Sequence, residues 1–205
     1  MKGEIKLANI TEALVNEHKL IKRMINVLEK NSRKVLEESF SDYNFFLDAV
    51  DFIRNYADRF HHAKEEDILF TAMFDNGMPR ENSPVAAMLM EHDQGRAYVK
   101  KMEEAAKKSL NGGGAEPDKI VENAFGYIEL LREHIDKEDN ILYPLAERTI
   151  PEALRKRIIA GYQNAEAKTP ADFKEKYLTL VKKYEQTSSW NLSSFAYFCN
   201  LCSPR

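Results

Sequence analysis

Residues 60–70 read Phe60-His61-His62-Ala63-Lys64-Glu65-Glu66-Asp67-Ile68-Leu69-Phe70. On an α-helix turning about 100° per residue, taking His61 as 0° puts His62 at about 100°, Glu65 at about 40° and Ile68 at about −20°. Two imidazoles and a carboxylate therefore share one sector of a helix. Ala57, Phe60, Ile68 and Leu69 lie around it, so this face is expected to turn toward a core, where polar groups need partners.

The pattern recurs. Residues His134-Ile135-Asp136-Lys137-Glu138-Asp139-Asn140-Ile141-Leu142-Tyr143 repeat residues 61–70 in register, with His134 aligned on His61 rather than on His62. Glu65 and Glu138 thus lie one turn beyond their histidines, where a carboxylate can bridge two metal ions whose other ligands are imidazoles. The chain has 5 histidines. The remaining two, His18 and His92, also fall on inward stripes of helical runs. A lone histidine on an apolar stripe is ordinarily a hydrogen-bonded core residue. Five of them with two carboxylates need either a metal or a dense hydrogen-bond network. Nitrogen-rich ligation with two bridging carboxylates suits iron best, while manganese or zinc would accept parts of the set. Ferritin-type sites differ, using mostly Glu with Glu-x-x-His spacing.

Periodicity places these residues on four long helices. The first runs from Thr11 to about Glu38 with Leu14, Ile21, Ile25, Leu28 and Val35 inward. After a polar break at 39–42, with Asp42 as N-cap, the second runs from Tyr43 to about Phe74 and stops at Gly77 and Pro79. Ser83-Pro84 starts the third, which carries Val85, Leu89, His92, Val99 and Met102 and ends at Asn111-Gly112-Gly113-Gly114. Pro117 opens the fourth, with Ile120, Ala124, Tyr127, Leu131, His134, Glu138, Ile141 and Leu145 on one face and a kink expected at Pro144. Short links between long helices favour an antiparallel up-down-up-down four-helix bundle. Counted back to the links, His18 and His61 stand at matching heights, as do His92 and His134. The second and third helices match less well. Two further amphipathic runs, Glu152 to Lys168 and Ala171 to Gln186, are expected as two additional C-terminal helices. The fold expected is all-α, with the bundle over residues 1–150, a helical extension over 151–186 and a tail over 187–205.

Bulk properties narrow the function. With 205 residues, 43% of them hydrophobic and 31% charged, the chain can build a substantial core. A formal charge of −3 with interspersed signs leaves no basic footprint for nucleic acid. The beginning of the chain is too polar for a signal peptide and no apolar run approaches the ~20 residues of a membrane span, so a cytoplasmic protein is expected. Only Cys199 and Cys202 occur, so no disulfide framework is expected; a lone CxxC without a second pair is assigned no role.

The series His18, His61 with Glu65, His92 within MLMEHDQGR, and His134 with Glu138 within EHIDKEDNILYP resembles the hemerythrin-like (HHE cation-binding) family. The resemblance covers Thr11 to about Arg148. It implies a four-helix bundle around a non-haem centre of two iron ions, with Glu65 and Glu138 as bridging carboxylates and His18, His61, His92 and His134 as terminal ligands. One departure stands out. Oxygen-carrying hemerythrins place two histidines four apart on the third helix, whereas here His92 has Met88 before it and Arg96 after it. Some hemerythrin-like domains use the residue just after the second helix's histidine as a ligand, which makes His62 the candidate replacement. The alternative is that His62 only donates a hydrogen bond nearby. Asp58 could orient an imidazole or form an ordinary ion pair.

The resemblance implies a protein that binds O2 or a related small ligand, peroxide or nitric oxide, for sensing, storage or delivery; the residues name no redox partner. The alternative is a di-iron enzyme acting on peroxide or nitric oxide, or an iron donor in iron–sulfur cluster repair. Whether the chain is an enzyme is left open by the residues. Gly95, one turn past His92, either lets helices approach or leaves ligand space. Tyr98, Tyr127 and Tyr143 lie within reach of the site, although tyrosines on such stripes usually belong to the core.

Overall fold

The computed structural model describes residues 8–38 and 42–189. Among them the chain is helical, without strands. Helix α1 spans Glu12–Glu38. Helix α2 spans Tyr43–Phe52 and continues as π-helix through Ile53–His62 and Glu65–Phe70 into the short α3, Thr71–Asp75. Next come α4, Pro84–Leu110, and α5, Pro117–Lys137, the latter continuing as π-helix over Glu138–Leu142 into α6, Tyr143–Thr149. Helices α7, Glu152–Glu166, and α8, Phe173–Ser189, follow. No helix among the described residues is long and apolar enough to cross a membrane. Trp190, Phe195, Tyr197, Phe198, Cys199 and Cys202 lie outside the described residues, as do residues 39–41.

The helix ends follow their local chemistry. Asp42 accepts from the backbone N–H groups of Asn44 and Phe45 at 3.1 and 3.3 Å. Ser83 accepts from Ala86 N–H with Pro84 in the first turn, where a missing donor costs nothing. After α3, Met78 N–H reaches Met73 O and Gly77 N–H reaches Phe74 O, with Gly77 at φ +94°. That left-handed glycine satisfies carbonyls the helix leaves open.

Two π-helical regions change which residues face inward. Ile141 and Ile68 were expected on the inner face; instead Ile141 is 58% exposed and Ile68 is only partly buried. Leu142 and Tyr143 are buried in place of the first, Leu69 and Phe70 in place of the second. Hydrogen bonds in a π-turn run from i to i+5, so each such turn holds an extra residue and the inward stripe slips past the isoleucines. The same slip occurs in both copies of the repeat. Pro144 sits where the second π stretch returns to α-helix, and the missing amide donor is accommodated at that changeover.

Packing joins α1 to α5, α5 to α4, and α4 to α2, with α2 returning to α1. The buried apolar residues form two clusters. One includes Ile21, Ile25, Phe52, Phe60, Val99 and Leu131; the other includes Leu14, Leu69, Met88, Leu142 and Tyr143. Along each long helix the changeover between clusters falls at its histidine. Helix α8 lies on α1 and adds Tyr177, Val181 and Tyr184 to the first cluster, while α7 lies on the π stretch at residues 65–70. Helices α4 and α5 meet tightly at Gly126, where a Cβ would stand 2.5 to 3.0 Å from three ring atoms of Tyr98. Gly126→Ala is expected to destabilise the protein by about 1–3 kcal/mol through overpacking, measurable by urea unfolding. Unchanged stability would mean the Tyr98 ring swings aside freely.

Candidate metal centre

All five histidines converge between the two apolar clusters. His18, His61, His92 and His134 are at most 2% exposed, His62 is 7% exposed, and Glu65 and Glu138 are fully buried. His18 and His61 face each other with Nε2 atoms 2.9 Å apart, and His92 and His134 do the same at 3.1 Å. Glu138 lies between the two pairs, its Oε2 at 3.3 Å from His18 Nε2 and its Oε1 at 3.1 Å from His134 Nε2. Glu65 mirrors it, with Oε2 at 3.7 Å from His61 Nε2 and 3.6 Å from His92 Nε2. Tyr143 donates to Glu65 Oε1 at 2.6 Å. Its counterpart in the repeat is Phe70, which has no hydroxyl to offer Glu138.

Two groups of four residues each bring ligand atoms within 4.8 Å of one another: His18, His61, Glu65 and Glu138, and His62, Glu65, His92 and His134. Glu65 belongs to both. The adjacent His61 and His62 are thus divided between the groups, and the His62 ring stacks on His92 with centroids 3.8 Å apart. Every site residue expected from the sequence is brought to this one place.

Each of four imidazoles is held from behind by a carboxylate. Nδ1 of His18 meets Asp139 at 2.7 Å, His61 meets Glu17 at 2.9 Å, His92 meets Glu66 at 2.7 Å and His134 meets Glu91 at 2.9 Å. Each carboxylate comes from a neighbouring helical run, so the four contacts close a ring. A cation backs each one: Lys22 on Asp139 at 2.7 Å, Arg96 on Glu66 at 2.7 Å, Lys64 on Glu17 and Lys137 on Glu91. These carboxylates were not foreseen from the sequence. The signal was present, because each stands next to an inward site residue in the chain, as Glu17 does to His18 and Glu66 to Glu65. Arg96, one turn past His92, serves this outer layer.

Each Nδ1–H donated to a carboxylate turns its ring so that Nε2 points into the centre, where giving up an Nε2 proton would bare a lone pair to a cation. Glu65 Oε2, both Glu138 oxygens and His62 Nδ1 are buried without a hydrogen-bond partner. Converging ring nitrogens and orphaned carboxylate oxygens in a dry layer fit a cation and little else. Asp58 lies 3.5 Å from His62 Nδ1, too long for a good hydrogen bond, and pairs instead with Arg96 at 2.7 Å.

Without a cation, protons meet these charges instead: burial opposes protonation of His18, but Asp139 and Glu138 raise its pKa. Burial drives the Glu65 carboxyl well above its ordinary range, and the charge on Glu138 adds to this. Burial pushes Glu138 the same way, yet His134 and His18 hold it well below. Burial opposes protonation of His134, but Glu138 and Glu91 raise it to about 9. Burial lowers His61 and His62 well below the usual imidazole value. Divalent cations would reverse the cost at both carboxylates.

One outer contact reaches beyond the four long runs. Lys64 is fully buried between Glu17 of α1 and Glu166 of α7, the latter at 3.1 Å, with its ammonium 3.8 Å above the Phe60 ring. Arg155 of α7, also buried, bonds the Ala8 carbonyl at 2.8 Å and pairs with Glu147. Helix α7 is therefore tied to the layer behind His61 through Glu166.

Comparison with curated proteins and with solved structures gives no significant match. A family model does match: that of the hemerythrin HHE cation-binding domain, over residues 9–146. This span holds all seven residues of the buried histidine–carboxylate layer and most of the chain. The protein belongs to the hemerythrin HHE cation-binding family.

Proposed function

We propose that the protein is a non-haem di-iron protein that binds O2 or a related small ligand, in oxygen or redox sensing, storage or delivery. The proposed architecture is an antiparallel up-down-up-down bundle over residues 1–150 with the helical extension at 151–186. The observation that carries this reading is the pair of buried four-residue groups joined through Glu65. On this reading His18 and His61 would hold one iron, His62, His92 and His134 would hold the other, and Glu65 and Glu138 would be shared between them. Five imidazoles and two carboxylates form a donor set suited to iron.

Iron, when bound there, would supply redox chemistry and Lewis acidity toward a small ligand. The chain's own residues do the rest. Asp139, Glu17, Glu66 and Glu91 orient the imidazole rings, the apolar clusters exclude water, and Tyr143 holds Glu65 by one oxygen. A second reading is catalysis at the same centre on peroxide or nitric oxide, for which the cavity of about 220 Å3 beside His62, His92 and His134 gives access.

Metal quantification on protein purified without chelator tests the reading: two irons per chain are expected, and well under two would sink it. Stopped-flow optics then separates the alternatives, with a reversible oxygenated band for carriage and turnover of peroxide or nitric oxide for catalysis. His62→Ala is expected to lower iron content from two ions toward one, leaving the His18–His61 side loaded. Unchanged iron content and spectrum would remove His62 from the ligand set.

A further inference from the structure

The cavity of about 220 Å3 opens between the π stretch after α2, α4 and α5. His62, His92 and His134 form one end of it, and Ile53, Val99, Leu130 and Leu131 line it. For scale, a cavity of about 150 Å3 lined by aliphatic and aromatic side chains binds benzene. This one takes a six-membered ring with a substituent.

One buried polar atom on its lining, outside the metal layer, is unpartnered: Tyr127 is 3% exposed with no hydrogen-bond partner on its hydroxyl. A buried hydroxyl left unsatisfied costs about 1–3 kcal/mol, so a ligand carrying an acceptor gains by meeting it. The charged residues at the cavity are mostly committed. Arg96 is divided among Asp58, Glu66 and Asp93, Arg54 pairs with Glu103 at 2.6 Å, and Glu91 is held by His134 and Lys137. Lys100 is exposed and has no ion-pair partner among the described residues. Gly95 keeps the space open. A Cβ there would make only ordinary contact with the Tyr127 ring at 3.6 Å, so no close helix approach demands glycine, and a larger side chain would fill the cavity.

The geometry points to a binding site for a small organic carboxylate, a ring or short chain of about ten non-hydrogen atoms, beside the metal centre. The apolar body lies against Val99, Leu130 and Leu131, the carboxylate meets Lys100, and a polar substituent accepts from the Tyr127 hydroxyl. The site takes its meaning from the di-iron reading, as a substrate or effector pocket, but binding itself needs only the cavity.

Benzoate and 4-hydroxybenzoate are the probes, with toluene as a neutral ring and acetate as a bare carboxylate. Binding is read by ligand-observed NMR on chelated and on iron-loaded protein. Both aromatic acids are expected to bind either form, 4-hydroxybenzoate more tightly, and to shift the optical spectrum of the loaded one. Gly95→Leu is expected to abolish binding with iron content and helicity unchanged. Lys100→Gln, at an exposed position that does not threaten folding, is expected to weaken benzoate about 5-fold and leave toluene unchanged. Binding of benzoate no tighter than acetate or toluene, or insensitivity to both variants, overturns the proposal. Benzoate binding to protein that takes up no iron leaves this site standing while the di-iron reading fails; iron loading without benzoate binding does the reverse.

Discussion

Glu65→Gln is expected to empty both metal positions at once. The amide keeps the volume of the side chain and can still accept from Tyr143, which donates to Oε1 at 2.6 Å. What it loses is the anionic oxygen that stands 3.7 Å from His61 and 3.6 Å from His92, one histidine of each group. Loss of an outer partner typically costs roughly 10–100-fold in metal affinity, so loss of a shared carboxylate should exceed about 100-fold. The metal-free variant should melt no lower than wild type. Burial has already driven this carboxyl well above its usual range, so an ionised Glu65 is a liability in the absence of cations and a neutral amide removes it. Elemental analysis and thermal melts of chelated protein check both halves. Retention of the full metal complement by Glu65→Gln would remove it as the shared ligand.

Lys64→Met is expected to produce the largest loss of stability of any single substitution near the centre. Methionine fills similar space over Phe60 but leaves Glu17, 5% exposed, without its cation. Breaking a buried pair on one side typically costs about 3–5 kcal/mol. The cost depends on pH. Burial raises Glu17 to about 7 even against the pull of Lys64, so without that pull its folded pKa climbs further. The folded state then holds a proton that the unfolded chain has released, and stability falls as pH rises between the two values. In metal-free protein the gap between wild type and variant should therefore be small near pH 5 and widen through pH 7 and above. Urea unfolding at several pH values reads it directly. A pH-independent gap, or none, would mean that Glu17 finds another cation. Because Glu17 orients His61, iron affinity should fall as well, by roughly 10–100-fold.

Histidines on apolar stripes, two of them with glutamate one turn on, are legible before any coordinates because each is a statement about one helix; His62 entered the ligand set through the family resemblance. Leu14, Ile21, Ile25, Leu28 and Val35 are all buried as their spacing implied. Caps at Asp42 and Ser83 and the stop at Gly77 were equally local. Ile141 was misplaced for a definite reason. A wheel drawn at α-helical pitch assumes i to i+4 bonding, and the residues from Glu138 to Leu142 are wound from i to i+5. Side-chain propensity does not announce such winding.

The sequence by itself determined an all-helical chain and which histidines and glutamates share an inward face, and the resemblance of its motifs pointed to the family. The first two follow from periodicity and spacing within single helices. Tertiary structure alone decided the division of His61 and His62 between two groups, the ring of carboxylates passed from each helical run to the next, and the burial of Lys64 under α7. Each of these is a contact between residues far apart in the chain. Spacing along a helix says which way a side chain points, but which helix it then meets is settled by packing.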